Sequence, residues 1–233
     1  MPGRTSSSAA ESPEAAAPAV DDAAPATHLA DASATAPHAS TARLPTPQRA
    51  GATRPLPVRR RPSYRRHLRR IGPGRVLEIG CGTGGTLAGC APGSVGVDHD
   101  PRSVELCRDR GLTAYTADAF LASPHARPGA FDTLLSAHVL EHLDDEQVEG
   151  LLRAYLPYVR PGGAVVLITP QEAGHRGDPA GLMGRFTDFT LLRAFAESAG
   201  LAVRRTYSHP LPRPAGKLLR RNAFVLVGQV PRH

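Results

Sequence analysis

Tryptophan is absent from this 233-residue chain, and it holds only three cysteines and a single lysine. Cys81, Cys90 and Cys107 are odd in number and form no C-x-x-C pair, which argues against a disulfide scaffold or a cysteine-based zinc site. Free thiols fit a reducing cytoplasm, the compartment expected here. Long apolar runs are also missing: none approaches the ~20 residues of a membrane span. The N-terminus lacks the apolar stretch of a secretory signal, and its five acidic residues count against a transit peptide. Large side chains are scarce in residues 1–57, where 17 Ala, 9 Pro, 6 Ser and 6 Thr make up 38 of 57 positions. Only Met1, Val20, Leu29, Leu44 and Leu56 there are large and apolar. Such a segment buries too little surface to offset its ordering entropy, so a disordered tail is expected over 1–57. The remaining 176 residues (233 − 57) suffice for one domain with a real core.

Acidic residues are missing altogether from 58–75, where eight Arg give a local charge of +8. Residues 76–233 carry 16 acids and 16 bases, so the net +7 of the chain is a basic collar in front of a neutral domain. A collar of this kind either touches nucleic acid or an anionic surface, or is the solvated face of a helix. Ser63 fits a helix N-cap; Tyr64, Leu68 and Ile71 then fall at i, i+4 and i+7, one apolar stripe with Arg on the other faces. A short amphipathic helix within 58–74 is therefore expected to lead into the domain at about residue 75.

Beyond the collar, strand and helix signals alternate. Arg75–Ile79, Val95–Asp98, Leu112–Ala117, Phe131–Ala137 and Ala164–Thr169 read as strands; the last is continuously apolar, as in a parallel sheet covered on both faces. Asp100-Pro101 predicts a helix start running to about Arg110. Asp144 and Gln147 predict a capping box, with a buried stripe from Val148 to Val159 that Pro157 kinks or ends early. A loop is expected from Pro170 to about Thr187, then a helix to Ala199 with Gly200 at its C′ position. Ala202–Tyr207 and Ala223–Val230 are expected to pair antiparallel. The pattern implies an open, doubly wound α/β sheet with its ligand at the carboxyl ends of the strands near the switch point.

The chemistry concentrates in Glu78-Ile79-Gly80-Cys81-Gly82-Thr83-Gly84-Gly85, placed after the first strand and expected to open a helix. Gly80, Gly82 and Gly85 match G-x-G-x-x-G, and Asp98 is an acid at the end of the second strand. That motif alone fits a dinucleotide or another adenosine cofactor. Glu78 separates the two. An anionic pyrophosphate makes a poor neighbour for a carboxylate, whereas S-adenosylmethionine brings a cationic sulfonium and ammonium. The alternative for Glu78 is a helix or loop cap.

Residues 75–230 resemble the class I S-adenosylmethionine-dependent methyltransferases, in the small-molecule-type branch. Val76–Gly85 is similar to their first motif and Val95–Asp98 to their second, Thr116–Phe120 to the third, Phe131–Leu143 to the fourth and Arg160–Ile168 to the fifth. The resemblance implies a seven-stranded, mostly parallel sheet with an antiparallel last strand, a Rossmann-like methyltransferase fold. It implies S-adenosyl-L-methionine as cofactor, held around Glu78, Gly80, Cys81, Gly82, Gly84 and Ser136. Asp98 then binds the ribose hydroxyls, Asp118 the adenine amino group, and Ala119 lies by the ring. No Asp/Asn-Pro-Pro-Tyr tetrad follows the fourth strand, which disfavours amino-group methylation of nucleic acids and protein glutamine.

Methyl transfer from a sulfonium is an in-line displacement that needs no metal and no proton on the leaving group. Alignment of nucleophile and methyl contributes ~7–11 kcal/mol, and a base helps if the nucleophile is a hydroxyl. His138 and His142, flanking the end of the fourth strand, are the candidate catalytic residues; His175 and His209 read as ordinary loop residues. The expected activity is methyl transfer to a small-molecule acceptor. Its rivals are an RNA or DNA methyltransferase using the Arg59–Arg70 collar, a non-catalytic binding protein that retains the fold, and a nicotinamide enzyme.

Overall fold

The computed structural model describes Tyr64, Leu68, residues 72–176 and residues 186–232. The tail expected over 1–57, most of the leading helix over 58–74 and part of the loop after the fifth strand lie outside the described residues. Leu68 is helical.

Seven strands form one sheet in the order β3-β2-β1-β4-β5-β7-β6. They are β1 (Val76–Ile79), β2 (Val95–Val97), β3 (Ala114–Tyr115), β4 (Phe131–Ala137), β5 (Val159–Pro170), β6 (Ala202–His209) and β7 (Ala223–Gln229). Strands β1 to β5 run parallel, and β7 is antiparallel to both β5 and β6. The order turns back between β1 and β4, which lie side by side with Glu78 opposite Leu135 and Ile79 opposite Ser136. That is the switch point, and it opens a crevice at the carboxyl ends of these two strands.

Side-chain alternation sorts each central strand between two layers. Leu77, Ile79, Leu134, Val165, Leu167, Phe224 and Leu226 enter the larger core. It is closed by α2 (Ala117–Leu121), α3 (Asp145–Tyr155) and α5 (Phe189–Ser198) through Phe120, Leu151, Leu152, Tyr155, Leu192 and Phe195. Val76, Leu135, Ala137, Val166, Ile168 and Val225 face the opposite way, where Tyr64 and Leu68 of the leading segment cover them. A third cluster, Cys81, Val104, Cys107 and Ala114, seats α1 (Pro101–Asp109) against the sheet edge.

Local chemistry explains the helix starts. Asp100 caps α1 with Pro101 next in line, and Asp144 and Gln147 make a reciprocal capping box on α3. Asp188 caps α5, and Gly200 follows it at φ +74°. As expected, Pro157 cuts α3 short, leaving a 3-10 turn over Leu156–Tyr158.

Four expectations need correction. The glycine loop opens no α-helix; turns lead to a single 3-10 turn, Leu87–Gly89, which Ala91-Pro92-Gly93 does not extend. The third strand is only Ala114–Tyr115, because Thr116 is already the N-cap of α2, its Oγ1 accepting from the Ala119 N–H. β5 begins at Val159 rather than Ala164, since Val159 pairs with Phe131 before a register shift between Phe131 and Thr133. The loop after β5 holds a short helix, α4 (Glu172–Arg176), whose Arg176 donates to the Lys217 carbonyl. Among the described residues, no helix is long and apolar enough to cross a membrane.

Candidate active site

The loop between β1 and the 3-10 turn wraps the end of β2. Gly80 and Cys81 N–H both donate to the Val97 carbonyl, at 2.8 and 3.2 Å. The next amide, Gly82 N–H, donates to Oδ2 of Asp98 at 2.7 Å. Oδ1 of Asp98 accepts from Asp100 N–H at 3.0 Å and lies 3.4 Å from His99 Nδ1. The buried Asp98 carboxylate therefore pins the loop to the mouth of the sheet.

Gly80 and Gly84 have no room for a side chain. A Cβ on Gly80 would collide with a Val139 methyl, and one on Gly84 with Leu112; both glycines have positive φ, +71° and +76°. Gly82, at φ +54°, differs: a Cβ there meets nothing within 4 Å, so the backbone borders open space. Cys81 and Cys107 support the loop from below, their sulfurs 4.0 Å apart, and the Cys107 thiol reaches the Gly82 carbonyl at 3.1 Å. The bond between them and burial push the Cys81 thiol far up, while the same bond pulls Cys107 down. Arg110 closes the arrangement from the end of α1 by donating to the Thr83 carbonyl.

The remaining predicted residues divide between the mouth and the interior. Glu78 is buried in β1, on the same face as Val76 by strand alternation, two residues before Gly80. Asp118 and Ala119 are exposed at the start of α2, just past the carboxyl end of β3. Ser136 lies fully buried in β4 beside Ile79 and shares the Leu134 face. Its hydroxyl has no hydrogen-bond partner among the described residues. His175, in α4, packs edge-on against Phe186, and His209 ends β6 with its ring 6.1 Å from that of Tyr64.

His138 follows β4 directly. Its N–H continues the ladder to the Ile168 carbonyl at 2.8 Å, and its φ of +59° turns the chain sharply out of the sheet. Positive φ is unusual for a residue with a side chain, costs on the order of 1–3 kcal/mol, and clusters at functional sites. The imidazole is held on both nitrogens: Nδ1 lies 3.2 Å from Oε1 of Glu141, and Nε2 lies 2.7 Å from the hydroxyl of Tyr64. Glu141 is fully buried, whereas the His138 side chain keeps 16% of its surface exposed. His142 sits half-buried on the same 3-10 turn, Leu140–His142. Sequence reasoning missed Glu141 as a site residue and treated Tyr64 as packing alone. Its only trace of Glu141 was a carboxylate between Leu140 and His142, three residues after His138.

The residues fit S-adenosylmethionine better than a dinucleotide. Two buried carboxylates, Glu78 and Asp98, flank the loop, and Asp98 takes the Gly82 amide that a pyrophosphate would need. The loop opens no α-helix whose N-terminus could receive a phosphate. No group of three or more potential metal ligands occurs among the described residues.

This sheet order and loop define a Rossmann-like, class I S-adenosylmethionine-dependent methyltransferase. The chain belongs to the protein family described as "Methyltransferase domain", which it matches over residues 56–206. It is 32% identical over 97 residues to a Xenopus tropicalis tRNA (carboxymethyluridine(34)-5-O)-methyltransferase, covering 40% of this chain and 15% of that protein. It is 29% identical over 103 residues to a ubiquinone biosynthesis O-methyltransferase of Xanthomonas euvesicatoria pv. vesicatoria (strain 85-10), covering 41% of this chain and 42% of that one. The match thus spans less than half the length of either curated relative. The crystal structure of a SAM-dependent methyltransferase from Archaeoglobus fulgidus superposes with a TM-score of 0.53 at 17% identity, covering 71% of this chain and 92% of that chain. At that identity it shows the fold alone.

Proposed function

We propose that this methyltransferase acts on a small-molecule acceptor. The charge balance carries the reading: residues 76–233 hold 16 acids and 16 bases, which leaves no net field to gather a polyanion. The match to a ubiquinone biosynthesis O-methyltransferase supports it. A cytoplasmic setting belongs to the same reading and rests on the three cysteines, odd in number and without a C-x-x-C pair.

In this reading Glu78 faces the methionine ammonium and Asp98 the ribose hydroxyls. Asp118 takes the adenine amino group beside Ala119, and the backbones of Gly80, Cys81, Gly82, Gly84 and Ser136 line the cleft. Bound S-adenosylmethionine supplies an electrophilic methyl and a neutral thioether leaving group. The protein orients the acceptor and excludes water. His138, partly exposed at the end of β4, is the preferred catalytic base, with His142 on the 3-10 turn that follows as the second candidate. The domain carrying this site begins at about residue 75, behind the basic segment of 58–74.

Two observations favour a second reading, a tRNA substrate: the match to a tRNA methyltransferase and the eight Arg in 58–75. A screen with labelled cofactor, run against small hydroxylated and aromatic acceptors and against bulk tRNA, separates the two. Labelled small product with no labelled tRNA is expected. Labelled tRNA, with RNA binding that weakens steeply as salt rises, overturns the small-molecule reading.

A further inference from the structure

The two contacts on His138 are not interchangeable, because the three groups differ in what they can donate. An ionised carboxylate only accepts, so a neutral imidazole at 3.2 Å from Glu141 must carry its proton on Nδ1. The reverse tautomer would set a nitrogen lone pair against carboxylate oxygen. With the proton on Nδ1, Nε2 is an acceptor, and the Tyr64 hydroxyl donates to it at 2.7 Å. The side chains therefore form one directed chain, Tyr64 O–H to Nε2 and Nδ1–H to Glu141.

Glu141 has no evident packing reason to be a carboxylate. It is fully buried, and its second oxygen has no hydrogen-bond partner among the described residues. Burial of a carboxylate is costly unless it is bonded, and here the bond it makes is to His138. His138 is meanwhile held at φ +59° at the mouth of β4, next to the strand that carries the glycine loop.

We infer that Glu141 is a positioning residue that fixes His138 in its Nδ1–H tautomer, so that Nε2 draws the Tyr64 proton as Tyr64 takes that of a hydroxyl acceptor, and methylation falls on oxygen. The inference rests on His138 as the base. An amine that has already lost its ammonium proton attacks without a base, whereas a hydroxyl must shed its proton as it attacks. As the acceptor O–H bond breaks, its proton passes to the Tyr64 oxygen, the Tyr64 proton passes to Nε2, and the acceptor's oxygen pair forms the new O–C bond. The C–S pair stays on sulfur. One positive charge is lost at sulfur and one appears on the imidazolium, where the Glu141 carboxylate faces it. The Tyr64 hydroxyl, 2.7 Å from Nε2, is the group placed to hand on that proton.

The test is imidazole 15N NMR on the full chain without cofactor, above the histidine titration range, with the His138 signals assigned by their loss in His138→Asn. Wild type should show the Nδ1–H tautomer. Glu141→Leu should shift the population to Nε2–H and lower kcat at least about tenfold, with acceptor KM changed less than about twofold. Glu141→Gln keeps a carbonyl oxygen facing Nδ1, so it should restore the tautomer and most of the lost kcat. An Nε2–H tautomer in wild type overturns the inference, and so does an unchanged tautomer in Glu141→Leu. So does full kcat in His138→Asn, which would also remove His138 as base. Labelled tRNA in place of small product would overturn the acceptor reading alone and leave the tautomer result intact.

Discussion

Gly80 and Gly85 stand five residues apart in one glycine-rich loop, yet their environments differ. At Gly80 an added methyl meets Val139 and the backbone sits at φ +71°, a strain of roughly 1–2 kcal/mol for a side-chain-bearing residue before any clash. At Gly85 the same methyl meets nothing within 4 Å and φ is not positive. Gly80→Ala should lower the denaturant midpoint clearly and weaken S-adenosylhomocysteine binding. Gly85→Ala should leave the midpoint close to wild type. Equal losses in the two variants would show that the loop is not held as described. The individual glycines, Glu78 and Asp98 were legible because their types and spacing carry the chemistry. Glu141 and Tyr64 were not, because their roles depend on a contact with His138 that for Tyr64 spans 74 positions of sequence.

At the level of elements, local chemistry was readable and non-local pairing was not. The capping box of α3 and the Asp100-Pro101 start of α1 form within a few residues, and both appear where expected. The early start of β5 depends on Val159 meeting Phe131, and α4 depends on Gln171 and Arg176 meeting the β6–β7 connection. No window of sequence contains those partners. One such non-local strut ties β4 to β5 and to the residue before β1. Asp132 accepts from the Arg160 guanidinium at 2.7 Å and from the Arg75 amide at 2.8 Å, and the Arg160 bond chiefly holds its carboxyl below the usual range. A carboxylate with a lowered folded value contributes stability above its unfolded value of about 4 and loses it as pH falls through the folded value. Asp132→Asn should therefore be less stable than wild type near neutrality, by a modest amount because the side chain is 36% exposed. The gap should close in urea titrations at acid pH. A gap that widens with acid would contradict the strut.

For the whole molecule, the leading segment is where composition and packing meet. Composition separates residues 1–57 from the domain, while Tyr64 and Leu68 are buried against Val76, Leu135, Val166 and Val225. Burial of two such side chains stabilises by about 1.5–3 kcal/mol each. A chain starting at Val58 should melt as the full chain does. One starting at Gly72 should melt several degrees lower, measured by differential scanning calorimetry. Equal melting of all three would mean that the segment adds nothing to the fold.

The doubly wound sheet and its switch point place the glycine loop and Asp98 at one mouth, with Glu78 buried two residues before the loop, and the proposed function stands on that mouth receiving adenosine with a cationic methionine. Charge-assisted hydrogen bonds contribute ~1.5–3 kcal/mol each, and ~1.4 kcal/mol is a tenfold change in affinity. The most direct measurement is calorimetric titration of wild type and Asp98→Ala with S-adenosylmethionine, S-adenosylhomocysteine and NADH. Both adenosine ligands should bind the wild type and weaken together, at least about tenfold, in the variant, with NADH binding neither protein. Tight NADH binding with no S-adenosylhomocysteine binding would contradict the account.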